Sequence, residues 1–172
     1  MKTALVTGVA LLALAAAGCG SNGRAACPDG GATAARHAEG APPTRYLTGV
    51  SVTRTDCAEE ISFAFEHGAP GYRISYEPAA RAQSEDASGR HIPVAGSAFL
   101  VVRLDDAATA RSDGSTLTRT YSGPRRVGGA EHVREVVKTG DFEAVVTWAI
   151  GLDGRRPFTV ARSGDALVVR IG

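Results

Sequence analysis

The sequence predicts an all-β domain, built as a sandwich or a barrel, and three observations support this prediction. Apolar and polar side chains alternate with a period of two in several short runs, as in strands that bury one face. Clusters of glycine, proline, aspartate and serine separate these runs and are typical of turns. No run of residues 45–172 places apolar side chains at helical spacing. Short strands joined by polar turns are typical of these two architectures.

The segment ahead of this domain, residues 1–18, has the order of a secretory signal peptide. A basic start at Lys2 precedes an apolar run over residues 4–17, which ends in small residues directly before Cys19. The run is shorter than the roughly 20 residues that a membrane-spanning helix needs. The segment resembles a bacterial lipoprotein signal, in which cleavage leaves a cysteine that carries lipid on its sulfur. We therefore expect lipid on Cys19 to hold the protein at the outer side of the cytoplasmic membrane; the alternative is an ordinary signal peptide cleaved elsewhere.

The next segment, residues 19–44, is predicted to be a flexible tether. It consists mainly of Gly, Ala, Ser, Asn, Pro and Thr, and it has few large apolar side chains. Such a segment cannot bury enough apolar surface to fold by itself. We expect it to hold the folded domain, residues 45–172, clear of the membrane.

Two further cysteines, Cys27 and Cys57, form an even pair in a chain that we expect to be exported. Disulfides persist outside the cytoplasm, so a bridge between the two is the favoured interpretation. A zinc site and a catalytic thiol are the alternatives. Neither cysteine has a Cys or His at the spacing that zinc ligands require, which disfavours both.

The first half of the domain contains three predicted half-buried strands and one apolar run. The run at 99–104 is dense enough for a strand buried on both faces. Residues 79–93 are small and polar, and we expect a mobile loop or an arm between sheets. The alternating residues of the three strands are Val50 and Val52; Ile61, Phe63 and Phe65; and Tyr72, Ile74 and Tyr76.

The second half begins with a polar stretch, residues 105–119, and ends in the clearest strand signals. Short strands are predicted at 120–121 and 133–137. The pair Gly140-Asp141 is interpreted as a hairpin turn ahead of a strand in which Trp148 belongs to the core. Two more turns separate the last strands, and their residues are Asp153-Gly154 and Ser163-Gly164-Asp165.

Signatures of catalysis and of cofactor binding are missing from the sequence. It has no Gly-x-Ser-x-Gly, no His-Glu-x-x-His and no phosphate-binding loop. Its four histidines stand singly, and its adjacent carboxylates would point to opposite faces of a strand. A net charge of +1 provides no field for nucleic acid. We expect no catalytic residue, no metal, no cofactor and no nucleic-acid partner, while an enzyme with residues scattered over distant loops remains an alternative.

Aromatic and arginine side chains give the most credible binding features. Aromatic rings stack on sugars, and arginine binds carboxylates. Sugars and carboxylates both occur in cell-wall polymers. The competing interpretation is that the tyrosines fill the core and the arginines are solvated. The candidate ligand-binding residues are Tyr72, Arg73, Tyr76, Tyr121, Arg125, Arg126 and Arg155.

A family pattern runs through eight segments of the chain, namely 47–50, 70–76, 121–126, 133–137, 140–143, 147–148, 151–153 and 155–158. Through these segments the chain, from about Tyr46 to its end, resembles the AMIN-like domain of actinobacterial lipoproteins. This resemblance implies an antiparallel β-sandwich in the cell envelope and no catalytic residues, and the related AMIN domain targets amidases and secretion machinery to peptidoglycan or the periplasmic surface. The stretch 56–60 departs from the family's usual Gly-Phe-Asp-Arg pattern, and Cys57 lies within it.

Together these features predict a lipid-anchored, non-catalytic module that binds peptidoglycan or another envelope component. Its partners would be the membrane, through lipid on Cys19, and either the wall polymer or an envelope protein. A protein-interaction or inhibitor module and a cell-wall hydrolase are the alternatives.

Overall fold

A computed structural model describes residues 30–172 of the chain, and these residues are nearly all β. The single helix among them, α1 (Ala79–Ala82), is four residues long. No helix in this part of the chain is long and apolar enough to cross a membrane. The strands in chain order are β1 (Arg36–Ala38), β2 (Arg45–Arg54), β3 (Glu59–Glu66), β4 (Gly71–Glu77), β5 (Ala98–Asp105), β6 (Ala107–Ala108), β7 (Ala110–Asp113), β8 (Thr116–Arg119), β9 (Arg126–Gly128), β10 (Val133–Phe142), β11 (Val145–Leu152), β12 (Phe158–Ser163) and β13 (Ala166–Ile171).

Two sheets form a sandwich, which confirms the predicted fold class. One sheet has the order β1-β4-β5-β11-β10-β9, and the other has the order β12-β13-β3-β2-β6. Neighbouring strands are antiparallel, except that the short β6 runs parallel to β2. A separate hairpin, β7–β8, lies outside both sheets.

Period-two alternation in the strands builds the core between the sheets. In β3, every second residue is buried, and Phe63 meets Trp148 of β11 edge-on with their ring centroids 5.9 Å apart. Each large side chain buried in this way contributes about 1.5–3 kcal/mol to stability. The predicted place of Trp148 in the core is confirmed, since the residue is fully buried.

The segment interpreted as a mobile loop or as an arm between sheets covers the outer face of the six-stranded sheet instead. We call residues 79–94 the arm. Ile92 and Val94 of the arm are buried in a second apolar cluster with Phe99 at the start of β5. β5 is therefore buried on both faces only at this end, because Arg103 further along the strand is exposed. The sequence gives little indication that the arm packs on the sheet, because only a few of its residues are apolar and buried.

Part of the predicted tether pairs with the domain. The strand β1 extends the six-stranded sheet by pairing with β4, and Ala32 forms a bridge to Phe158. Residues 30–44 are thus partly incorporated into the sandwich. The predicted signal peptide, Cys19 and Cys27 lie outside the described residues, so the lipidation and the pairing of Cys27 with Cys57 stay predictions.

The turn predicted at Gly140-Asp141 is wrong, because β10 continues through both residues to Phe142. The hairpin turns two residues later, at Glu143 and Ala144, which have φ values of 49° and 56°. Both residues adopt the left-handed conformation that a two-residue type I′ turn requires, although neither is a glycine. Glycine at 140 instead leaves space for the side chain of Asp86.

Two more local predictions differ from the structure. Residues 120–121 are not a strand. The polar stretch ahead of them forms the β7–β8 hairpin, whose turn includes Gly114 with a φ of 58°. Its strands are largely exposed, so they lack the alternation that marks a half-buried strand.

Candidate functional site

An open cleft of about 970 Å³ lies where the β7–β8 hairpin, the β10–β11 turn and the arm come together. We call it the hairpin cleft. Both polar and apolar side chains line it, and its walls come from three segments that are far apart in the sequence. The cleft depends on the length of β10, because residues 138–144 form one of its walls. A turn at Gly140 would remove that wall.

The floor of the cleft carries a neutralised charge pair. Lys138 Nζ donates a hydrogen bond to Asp141 Oδ2 at 2.9 Å, and the hydroxyl of Thr109 donates to the same oxygen. The Lys138 ammonium also lies 6.0 Å from the centre of the Tyr121 ring. Arg119 of β8 also lines the cleft. Its guanidinium group makes no hydrogen bond or ion pair within residues 30–172. The cleft therefore offers a free cation beside a polar floor.

The rim of the cleft is apolar. Leu117 is 70 % exposed and Phe142 is 56 % exposed, and both line the cleft. They are the exposed large hydrophobic residues of the described chain. A single exposed apolar residue is ordinary, but two on opposite strands around one cleft mark a candidate contact surface.

Asp86 of the arm builds the third wall. Its Oδ2 accepts a hydrogen bond of 2.5 Å from the Thr147 hydroxyl on β11. Residue 140 is paired with Thr147 across β10 and β11, and a Cβ there would lie 1.9 Å from Asp86 Oδ2. Because residue 140 has no Cβ, Asp86 of the arm can reach Thr147 of the sheet. This is the role of Gly140, which the sequence predicts to be a turn residue.

Two of the seven predicted ligand-binding residues, Arg125 and Tyr121, line the hairpin cleft. Arg125 donates from Nε to the Lys138 carbonyl at 2.9 Å and from Nη2 to Glu85 Oε1 at 2.8 Å. Hydrogen bonds from Arg90, Arg125 and Ser88 lower the pKa of Glu85 to about 2. Arg125 thus fastens the arm to β10 and positions the wall of the cleft.

Tyr121 forms the inner end of the cleft. The residue is only 5 % exposed, and its ring meets Trp148 edge-on with centroids 5.7 Å apart. Its hydroxyl donates to the Pro124 carbonyl at 2.8 Å. Because the ring packs in the core, it supports the floor rather than offering a face for stacking.

The other predicted residues lie away from the cleft. Arg126 donates to Glu135 Oε1 at 2.8 Å and to the Pro93 carbonyl at 2.9 Å, so it holds the far end of the arm. On β4, the Tyr76 hydroxyl exchanges two hydrogen bonds with the backbone of Arg156. Arg126 therefore lies at the arm and Tyr76 on β4, both outside the hairpin cleft.

Three further predicted residues belong to β4 and its surroundings. Arg155 places its guanidinium 4.6 Å above the Tyr76 ring, and Arg162 lies 5.6 Å from the Tyr72 ring. Both tyrosines pack partly against the core. Arg73 points to the opposite, outer face of the same strand and is exposed.

Sequence reasoning missed Leu117, Arg119, Lys138 and Phe142. Leu117 offered the only usable signal, since it is a large apolar residue isolated in a polar run. Phe142 was hidden by the turn assigned to the two residues before it. Arg119 and Lys138 become neighbours only through the fold.

A second polar cluster contains a histidine and a carboxylate. His132 Nδ1 and Asp153 Oδ2 are 3.0 Å apart, and Arg156 Nε donates to Asp153 Oδ1 at 2.8 Å. The hydrogen bonds from Arg156 and His132 hold the pKa of Asp153 far below its usual range. Within residues 30–172, no serine, threonine or cysteine side chain donates to this imidazole, and no group of three metal-ligating side chains is found. Through these contacts Asp153 joins His132, just ahead of β10, to Arg156, just ahead of β12.

Comparison with known proteins gives one match. A family model described as the AMIN-like domain matches residues 45–171. No curated protein and no solved structure matches the chain.

Proposed function

The chain belongs to the AMIN-like family, and from this premise we propose that it is a non-catalytic module of the cell envelope that binds peptidoglycan through the hairpin cleft. The matched region runs from the first residue of β2 to the last residue of β13, so it covers almost the whole sandwich. A family relationship to peptidoglycan-associated domains supports the ligand class. The site itself is argued from the geometry of the cleft.

The combination of groups in the hairpin cleft carries the proposal. Peptidoglycan presents sugar rings with apolar faces, together with short peptides that bear carboxylates. The ring of Phe142 and the side chain of Leu117 can cover an apolar sugar face. Arg119, whose side chain has no hydrogen bond or ion pair among the described residues, can pair with a carboxylate. An open cleft also suits a polymer, which must enter from the side.

We further propose that lipid on Cys19 holds the module at the outer side of the cytoplasmic membrane. The support comes from the sequence, where a basic start, an apolar run and small residues precede this cysteine. Two or more acyl chains would give a stable anchor, since one chain alone binds reversibly. Cys19→Ser should move the protein out of the membrane fraction, and unchanged fractionation of this variant would remove the anchor from the proposal.

Sedimentation with purified, phosphate-free peptidoglycan tests the cleft. Leu117→Ala, Phe142→Ala and Arg119→Gln each remove one contact group from an exposed position, so the fold should persist. Each should weaken binding about fivefold or more, which corresponds to about 1 kcal/mol. Arg155→Gln is the matched control, because this exposed arginine lies away from the cleft, and it should bind like the wild type.

The outcome separates the alternatives. Binding that is unchanged in all three cleft variants would contradict the assignment of the site. Release of soluble fragments from labelled peptidoglycan by the wild-type protein would show a hydrolase and overturn the non-catalytic proposal. A protein partner is the second candidate function, favoured by the exposed Leu117 and Phe142; binding to an envelope protein with none to peptidoglycan would establish it.

A further inference from the structure

Three basic side chains lie side by side on the outer face of the six-stranded sheet. His37 of β1 is paired with Arg73 of β4, and Arg73 is paired with Arg103 of β5. All three residues are exposed, and the two arginines alternate with core residues of their strands. We call this set the basic row. It is separate from the hairpin cleft, and none of its members lines that cleft.

The basic row is unfavourable for the isolated fold. Side chains directly opposite each other on antiparallel strands have Cβ atoms about 4.5–5.5 Å apart, and like charges in such a pair destabilise the sheet. Asp105 offsets part of this repulsion, since Arg103 Nε donates to its Oδ1 at 2.9 Å. Within residues 30–172, neither the Arg73 side chain nor the His37 side chain makes a hydrogen bond or an ion pair. A repulsive arrangement that Asp105 compensates only in part points to a ligand that supplies the missing negative charge.

We propose that the basic row binds a phosphate group of an envelope molecule, held between Arg73 and Arg103. One guanidinium group is enough to bind both oxygens of a carboxylate, as Arg156 does with Asp153 in this chain. A tetrahedral phosphate has more oxygens, and these can accept hydrogen bonds from two guanidinium groups that approach from neighbouring strands. His37 adds a third donor at the edge.

Two sources could supply this phosphate, namely a phospholipid headgroup and a phosphate-linked wall polymer. β1, which carries His37, is the first described strand after the segment that begins at Cys19. If the proposed lipid anchor exists, headgroups therefore lie near the row. The binding chemistry is the same for both sources, and the experiment separates them.

The test uses the mature chain with Cys19→Ser, so that acylation does not itself bind vesicles, and it starts with glycerol phosphate as a soluble probe. An NMR titration of arginine side-chain N–H groups should show saturable shifts. Arg73→Gln and Arg103→Gln should each weaken binding about tenfold, because each removes charge-assisted hydrogen bonds. Arg134→Gln, at an exposed arginine of β10, is the matched control and should bind like the wild type. Equal affinity in the wild type and both row variants would overturn the proposal.

Folding does not confound this test. Removing one of two opposed arginines relieves repulsion, so the midpoint of urea unfolding should stay the same or rise in both row variants. Flotation with phosphatidylglycerol vesicles and sedimentation with phosphate-containing wall then identify the source. The row variants should lose vesicle binding, or the extra sedimentation that phosphate-containing wall gives over phosphate-free peptidoglycan, whichever of the two the wild type shows. They should keep binding to phosphate-free peptidoglycan through the hairpin cleft. Cleft variants should lose binding to phosphate-free peptidoglycan and keep the phosphate-dependent binding, so the two proposals fail independently.

Discussion

The carboxylate of Glu59 accepts the backbone N–H of Val133 at 2.7 Å, which joins the first residue of β3 to the first residue of β10. The same carboxylate accepts the N–H groups of Glu131 and His132. Glu59 is only 3 % exposed. One buried side chain from the five-stranded sheet thus satisfies three donors in the loop that enters the six-stranded sheet.

The first prediction removes this charge. Glu59→Gln replaces one of two acceptor oxygens with an amide that faces backbone donors, and we expect a loss of about 1–3 kcal/mol in the free energy of unfolding. Urea unfolding followed by the fluorescence of Trp148, the only tryptophan in the chain, measures it. The control is Glu60→Gln, since Glu60 forms a surface pair with Arg170 and should cost about 1 kcal/mol or less. Equal losses in both variants would contradict the buried role of Glu59.

The second prediction concerns pH. Burial would raise the pKa of Glu59, but the N–H groups of Val133, His132 and Glu131 together outweigh it, so the pKa lies below its usual value. A depressed folded-state pKa means that Glu59 stabilises the fold above its unfolded-state pKa, near 4.3. This contribution is lost as the pH falls through the folded-state value. The difference in stability between wild type and Glu59→Gln should therefore be constant near neutral pH and shrink below about pH 4; a constant difference across that range would contradict the assignment.

The third prediction compares glycines by what surrounds them. At Gly140 a Cβ would meet the side chain of Asp86, which can move, whereas at Gly151 it would lie 1.8 Å from the carbonyl oxygen of Ala95. Gly140→Ala should cost about 1 kcal/mol, the value of the Asp86–Thr147 hydrogen bond. Gly151→Ala should cost more, because backbone must shift.

Thermal unfolding measures both glycine variants. Gly154→Ala is the control, since nothing lies within 4 Å of a Cβ at that position. Combining Gly140→Ala with Asp86→Ala should cost less than the sum of the single changes, because both remove the same contact. Additive losses would show that Gly140 does not serve the approach of Asp86.

These glycines also show how far sequence reasoning reaches. Alternation located the buried strands, because side chains of β3 and β11 must face one core. Gly140-Asp141 was misassigned because a glycine that admits another segment has the same sequence signal as a glycine in a turn. Only the position of Asp86 distinguishes the two kinds of glycine here. Asp86 is 54 residues away from Gly140 in the chain, and no sequence pattern connects the two.

The candidate site was less accessible to sequence reasoning, for a related reason. Arg125 was singled out as a ligand-binding residue, and it lines the cleft, but its hydrogen bonds go to Glu85 and Lys138. Whether an arginine is occupied or free depends on partners brought by the fold. Arg119 shows the converse, since its side chain makes no hydrogen bond or ion pair within residues 30–172 but nothing in its local sequence marks it.

The fourth prediction concerns the cysteines. Mass spectrometry of peptides from the non-reduced protein should join Cys27 to Cys57. In the chain-entropy model, a bridge over this loop of about 30 residues stabilises the fold by about 3–4 kcal/mol. Cys57→Ser should lower the unfolding midpoint of the non-reduced protein and leave that of the reduced protein nearly unchanged. Free thiols at both positions would contradict the pairing.

The last prediction concerns the β10–β11 turn beside the hairpin cleft. Glu143 and Ala144 both have positive φ, a conformation that costs a residue with a Cβ about 1 kcal/mol or more and that glycine adopts freely. The Ala144 carbonyl accepts the N–H of Ala107 at 2.8 Å, so the backbone at this position must keep its conformation. Ala144→Gly should therefore stabilise the protein by about 0.5–1 kcal/mol, seen as a higher urea midpoint. Ala110→Gly, at a strand position, should do the opposite. A loss of stability in Ala144→Gly would show that the turn does not hold the left-handed conformation, and the wall of the cleft that ends in Phe142 would then be differently placed.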